Sequence, residues 1–257
     1  MLPSSRRRHS INNRQVSGGA EIREAVECHD CSLYRVCFSR DGRDTRVAAL
    51  HRVIRRNRLL PACTTLYRAG DPVASVYVVR SGAMKIADVT PGGDERIVDF
   101  AFAGEPIAFD AFSRSHHGSH ASALSAVRYC ELSIRRLIGA CASVPTLQAQ
   151  VLRIMGSALG DSLRRRFLTQ REAGTRVAGF LLDLSSRFAR RGLAYDEFRL
   201  PMLRRDIAGY LDLSLETVSR TFQDLQRRGL IAVRARLVRL IAPDGLGLFA
   251  QVDPRPV

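Results

Sequence analysis

The chain has 257 residues, 46% of them apolar, and a formal net charge of +15. That apolar fraction excludes wholesale disorder, and no apolar run reaches the roughly 18 residues of a membrane-spanning helix. The length admits two small domains or one large one, and an isoelectric point near 10.8 points to a polyanionic partner such as nucleic acid, although Lys85 is the only lysine and codon usage also produces such an arginine excess.

Residues 1–20 are polar, Ser/Asn/Gly/Arg-rich and aperiodic, which predicts a flexible tail. No apolar segment follows Arg6–Arg8, so the start does not read as a secretory signal, and a cytoplasmic location with reduced thiols is expected. Next come Cys28, Cys31 and Cys37, with gaps of two and five residues. The spacing is too irregular for the paired ligands of a zinc finger. Three thiolates from one segment need a fourth donor from elsewhere, and Cys63, Cys130 and Cys141 are the candidates.

Residues 47–60, "VAALHRVIRRNRLL", have helical spacing and predict a short amphipathic helix. From 61 to about 133, short runs such as "SVYVVR", "AMKIADV" and "RIVDFAF" alternate with turn signals. They predict an antiparallel barrel or roll whose turns fall at Gly70, Gly82 and Gly104. His116, His117 and His120 lie in what reads as a polar loop of that roll. From Pro145 to about Thr169 the apolar period lengthens to three and four residues, and Leu147, Val151, Ile154 or Met155, Ala158 and Leu159 fall on one stripe. A helix this long with an apolar seam predicts either a contact between two copies, through Val151, Met155 and Leu159, or burial within its own domain.

A helix at 173–190 leads to "LRRDIAGYLDLSLETVSRTFQDLQRRGLIAV". This reads as a helix at 204–211, a turn at Asp212–Leu213, an N-cap at Ser214 and a second helix from Leu215 to Arg228. A two-stranded hairpin, "LIAVRARLVRLI", follows. Two helices joined by a short turn and closed by a hairpin make a winged helix-turn-helix, whose second helix enters the major groove. Glu216, Thr217, Ser219 and Arg220 occupy its exposed early positions. Arginine can donate twice to guanine, and glutamate can accept from cytosine; at i,i+4 spacing Glu216 and Arg220 can also simply pair with each other. Between 199 and 239 the arginines exceed the acids by five, and Arg204, Arg205, Arg227 and Arg228 are the phosphate candidates.

The order of roll, long helix and winged helix, over about residues 25–245, resembles the CRP/FNR family of bacterial transcription regulators. The implied fold is α+β: an N-terminal antiparallel β-roll of the cyclic-nucleotide-binding kind, a long dimerisation helix and a C-terminal winged helix-turn-helix. Its expected boundaries are a tail at 1–27, a sensory unit at 28–144, the helix at 145–170 and the DNA-binding unit at 171–257. "LETVSR" resembles the recognition helix of the FNR branch, which implies that Glu216, Ser219 and Arg220 read a TTGAT half-site in double-stranded DNA. The cysteine gaps, with "RYCELSI" further on, resemble that branch's ligand set. They imply a [4Fe-4S] cluster on Cys28, Cys31, Cys37 and Cys130 that holds a homodimer together without oxygen and is lost in its presence. Ser32 then takes a position that influences how fast oxygen attacks. Cys63 and Cys141, without counterparts, read as ordinary buried thiols. The loop "TPGGDERI" resembles a surface that touches RNA polymerase, through Asp94 and Glu95.

There are departures from the pattern. Asp212 stands where the family has glycine in the turn. Asp161 lies one position from the branch's repulsive aspartate, with Ser162 in that place, and the run Arg164–Arg166 also differs. The CRP branch clamps a cyclic nucleotide with Gly-Glu and a later Arg-Ser. This chain has Gly104 and Glu105 but "SHAS" at the later place, so a nucleotide phosphate would lack its cation. A second reading keeps the fold but makes the cysteines sensors of thiol oxidation, zinc, haem or nitric oxide. An enzyme is disfavoured, since no nucleotide loop, nucleophile elbow or flavin fingerprint is present.

Overall fold

The computed structural model describes residues 54–89, 95–168 and 172–252. The predicted tail, Cys28, Cys31, Ser32, Cys37 and Asp94 lie outside the described residues, as does the 47–53 part of the predicted first helix.

Residues 54–60 are not helical: they form strand β1 (Ile54–Leu60), antiparallel to β8 (Val127–Ser133). A run with apolar ends and central arginines satisfies both periods, and the open edge of β8 decides between them. β8 also pairs with β3 (Ser75–Ser81), which pairs with β6 (Pro106–Ile107), giving a sheet ordered β1-β8-β3-β6. A second sheet runs β2-β7-β4-β5, built from β2 (Thr65–Tyr67), β7 (His120–Ala123), β4 (Ala83–Val89) and β5 (Glu95–Phe102). Tyr67, Val79, Met84, Ala121 and Val127 form a core shared by the two sheets, as the strand alternation requires. The predicted turn glycines all have positive φ. At Gly82 (φ +85°) a Cβ would also run into the carbonyl of Ala126, so only glycine fits.

Helix α1 (Ile134–Ser143), which the periodicity reading did not resolve, follows β8 directly. Its Leu137 joins Val76, Ala111, Leu132 and Leu147 in a small separate core. Helix α2 (Pro145–Leu168) begins at the predicted proline and spans about 36 Å at 1.5 Å per residue. Its apolar residues divide between two faces. Leu147 and Val151 pack on the small core, whereas Leu152 (61% exposed), Leu159 (63%) and Leu163 stand in solvent, with Met155 half-buried between them. The open seam is therefore Leu152–Met155–Leu159–Leu163, one heptad-like row, rather than the stripe that included Leu147.

Helix α3 (Ala173–Ala189) packs inside the C-terminal part. There β9 (Glu197–Arg199), α4 (Arg204–Leu211), α5 (Leu215–Arg227), β10 (Ile231–Arg234), β11 (Leu237–Leu240) and α6 (Pro243–Ala250) complete a winged helix, with a sheet ordered β10-β11-β9. Strand β9 and helix α6 go beyond the sequence reading. The largest core runs across the junction with the roll: Ile97, Phe100 and Phe102 of β5 pack with Val177, Phe180, Leu181 and Phe188 of α3. Tyr210 of α4 completes an aromatic cluster, its ring centroid 5.2 Å from Phe100 and 5.7 Å from Phe180.

Candidate nucleic-acid interface and cysteine site

The two reading helices start and stop where their residues dictate. The Leu203 N–H donates to the Asp206 carboxylate at 2.8 Å, which caps the start of α4. At the other end Asp212 takes the left-handed conformation (φ 53°, ψ 51°), which an aspartate tolerates better than most residues. From α3, the Arg176 guanidinium donates to the carbonyls of Leu211 at 3.0 Å and Asp212 at 3.2 Å, so the aspartate turn is tied down from behind. Ser214 is the N-cap of α5, as predicted, accepting from the Thr217 N–H at 3.1 Å. Val218, Phe222 and Leu225 bury one face of α5, with Ala208 of α4 also buried at the crossing.

The opposite face carries the residues expected to read bases. Glu216 and Arg220 are 70% and 77% exposed and pair with each other at 2.6 Å. Ser219 donates its hydroxyl to the Leu215 carbonyl at 2.8 Å. The four phosphate candidates differ in their surroundings. Arg205 is exposed. Arg227 and Arg228 are exposed and hold Asp224 between them at 3.3 and 2.7 Å, and these contacts, that of Arg228 first, keep the Asp224 carboxyl below its ordinary value. Arg204 instead lies over the Phe222 ring, 3.1 Å from its centroid, and burial lowers its pKa to about 10. It thus packs the two helices together in the free protein. The sequence reading counted but did not single out Arg234 and Arg236, which are exposed on either side of Ala235 (φ 55°) at the tip of the β10–β11 wing. Alternating arginines inside a hairpin turn were the available signal.

In the roll, Cys130 is half-buried on β8, opposite Asn57 of β1 and Val78 of β3, and it packs against the small core that holds the start of α2. Cys141 is half-buried on α1, and burial pushes its thiol up, which keeps it protonated. Cys63 is exposed, at φ 61°. The expectation of a buried thiol fails there because the residue sits in a turn, where the chain runs over the surface. The three histidines do not converge. His116 is exposed, His117 is 4% exposed and stacks on Tyr67 at 3.9 Å, and His120 meets Glu95 at 3.1 Å. Glu95 also pairs with Lys85 at 2.6 Å. Burial alone would raise its carboxyl, but Lys85 and His120 outweigh that and hold it low. Among the described residues no group of three or more His, Cys, Asp or Glu could hold a metal.

A cavity of about 850 Å³ opens between the roll, α2 and the end of α3, lined in part by Asp99, Glu105, Arg114, Ser157 and Asp161. Glu105, the acidic residue of the Gly-Glu turn, is engaged by Arg187 and Arg191. Asp161 pairs with Arg190 at 3.1 Å.

A roll joined to a winged helix that presents an arginine- and glutamate-bearing helix is the architecture of a DNA-binding transcription regulator. The cyclic nucleotide-binding domain model matches residues 57–143, and the Crp-like helix-turn-helix domain model matches residues 175–248. The chain is 36% identical over 251 residues, 97% of each chain, to the fumarate and nitrate reduction regulatory protein of Salmonella typhimurium strain LT2, with the same figures for that of Escherichia coli K12. Among solved structures, FixK2 from Bradyrhizobium japonicum is similar at a TM-score of 0.69 and 26% identity, over 77% of this chain and 97% of that one. A CRP-family transcriptional regulator from Thermus thermophilus shares the fold at a TM-score of 0.62 and 20% identity, over 78% of this chain and 100% of that one. The chain belongs to the CRP/FNR family of transcription regulators. No helix of the described residues is long and apolar enough to cross a membrane.

Proposed function

We propose that this regulator is a cytoplasmic oxygen sensor: a [4Fe-4S] cluster held by Cys28, Cys31, Cys37 and Cys130 promotes homodimerisation and binding to TTGAT-type palindromes. The observation that carries the reading is the register of β1 on β8. The cysteine-bearing N-terminal segment leads into β1, whose Asn57 is the cross-strand neighbour of Cys130. Cys130 is a half-exposed thiol on a fixed strand, as a fourth ligand to a centre carried by the preceding segment requires. Cys141 lies on α1 and not on the strand that pairs with β1. The relatives at 36% identity, named for fumarate and nitrate reduction, support an anaerobic role.

When bound, such a cluster supplies an oxygen-labile inorganic centre. The chain's own residues supply the rest. Cys130 shares its small core with Leu147 and Val151 of α2, so the cysteine site packs on the helix that carries the open seam, against its other face. Met155 and Leu159, with Leu152 and Leu163, are the proposed dimer contact. Glu216, Ser219 and Arg220 are the proposed base readers, Arg205, Arg227 and Arg228 the phosphate contacts, and Glu95 with Asp94 the face offered to RNA polymerase. The proposed division of labour is sensory at 28–144, pairing at 145–170 and DNA-binding at 171–257.

Anaerobic purification followed by iron and sulfide counting tests the ligand set. The wild type is expected to carry the cluster and bleach in air, and Cys130→Ala to lose most of its iron. A Cys130→Ala protein with wild-type iron refutes the assignment. A colourless, iron-free wild type that still binds its operator in the absence of air overturns the reading in favour of thiol chemistry. The pairing role has its own test. Leu159→Glu puts a charge into the open seam and is expected to weaken self-association about a hundredfold while leaving the single chain folded. Sedimentation velocity reads the change, and an unaltered dimer places the seam elsewhere.

A further inference from the structure

The apolar contact between β5 and the winged helix is broad, but apolar contact is non-directional. One directional group crosses the same junction. Arg187, in the last turn of α3, is 3% exposed. Its Nε donates to Glu105 Oε1 at 2.8 Å, one terminal nitrogen meets both Glu105 Oε2 and the Phe100 carbonyl, and the other lies 3.4 Å from Asp183 and 3.6 Å from Asp99. Its guanidinium also lies 4.7 Å from the centre of the Phe102 ring. All but Asp183 of these partners belong to the roll.

The roll side is equally fixed. Glu105 follows Gly104 (φ +86°) in the turn after β5 and accepts from the Phe102 N–H at 3.0 Å. Its backbone is laced to Val79 of β3, through Val79 N–H to the Glu105 carbonyl at 3.0 Å and Gly104 N–H to the Val79 carbonyl at 2.8 Å. Arg191 adds a second cation to Glu105 at 3.0 Å and donates to the Arg187 carbonyl at 2.7 Å. Arg190 ties the same helix end to Asp161 of α2. One end of α3 is therefore anchored to both the roll and the long helix by fork-shaped, charge-assisted contacts whose geometry tolerates little rotation.

We propose that Arg187 is a positioning residue for DNA recognition: its bidentate grip on Glu105 sets the angle at which α3, and with it the helix-turn-helix, sits on the roll. Helix α4 lies against the same strand, with Tyr210 on Phe100, so the orientation of α3 is passed to the reading helices without a further joint. The apolar cluster supplies adhesion, and the arginine fork supplies direction. The proposal does not rest on the iron–sulfur reading.

Hydrogen–deuterium exchange on the full chain tests it, with Arg187→Lys and Glu105→Gln as variants. Lysine keeps the buried charge but not the fork, and glutamine keeps the shape but not the charge. In both, amides at the facing surfaces, β5 around Phe100 and α4 around Tyr210, are expected to exchange about tenfold faster, the scale of one charged hydrogen bond. The interiors around Met84 and Ala121 in the roll, and around Val218 and Leu225 in the winged helix, keep their protection. Unchanged exchange at the facing surfaces in both variants overturns the proposal. Protection lost evenly along the chain, or failure of both variants to fold, also overturns it, because Arg187 would then serve folding and not orientation.

Discussion

Arg220→Ala is expected to weaken binding to a duplex carrying two TTGAT half-sites by about thirtyfold or more, while leaving affinity for a scrambled duplex unchanged. A bidentate arginine–guanine contact discriminates by about 1–3 kcal/mol per base pair, and a symmetric site presents it twice. The variant should fold normally. Arg220 is 77% exposed, and its ion pair is the equally exposed one to Glu216, so stability should move by no more than about 0.5 kcal/mol. Arg205→Ala is the informative contrast. It should weaken cognate and scrambled duplexes alike and lower the slope of log affinity against log salt by about one per subunit, or about two for the symmetric complex. Fluorescence anisotropy over a salt series separates the two behaviours. If Arg220→Ala weakens both duplexes equally, Arg220 contacts phosphate and the base-reading assignment is wrong.

Phe180→Ala has the largest expected effect on stability, a loss of about 3–5 kcal/mol. Phe180 is 2% exposed and forms a triangle of rings with Phe100 of the roll and Tyr210 of α4, its centroid 6.3 and 5.7 Å from theirs. Truncation leaves a cavity beside the two remaining rings in a core that is already close-packed. Since whole domains are stable by about 5–15 kcal/mol, the variant should unfold at much lower denaturant, with winged helix and roll weakened together. Urea titration followed by circular dichroism measures it. A loss below about 1 kcal/mol would mean that the junction is loosely packed.

Local chemistry made element ends readable along the whole chain. Ser214 caps, Pro145 starts a helix, and Gly70, Gly82 and Gly104 turn, all from rules that act within a few residues. The failures have a common cause in distant partners. Residues 54–60 became a strand because β8 had an edge to pair. Helix α1 is too short and too exposed to show a clear apolar period, with Leu137 its one fully buried side chain. The stripe of α2 divides between two faces because Leu147 and Leu159 share a period but face different neighbours. Nothing in the sequence announced the pairing of Arg187 with Glu105, which are 82 residues apart. An arginine near a helix end ordinarily reads as solvated.

The pairing of Glu216 with Arg220 in the free protein has a bearing on how so cationic a chain finds its site. The two proposed base readers neutralise each other in the free protein, and on the proposed reading an edge of the right donors and acceptors replaces the partner. The remaining arginines supply attraction that is indifferent to sequence. A molecule built this way can glide along duplex with its discriminating groups sheathed, and a mismatch costs it little residence time because the sheath simply re-forms.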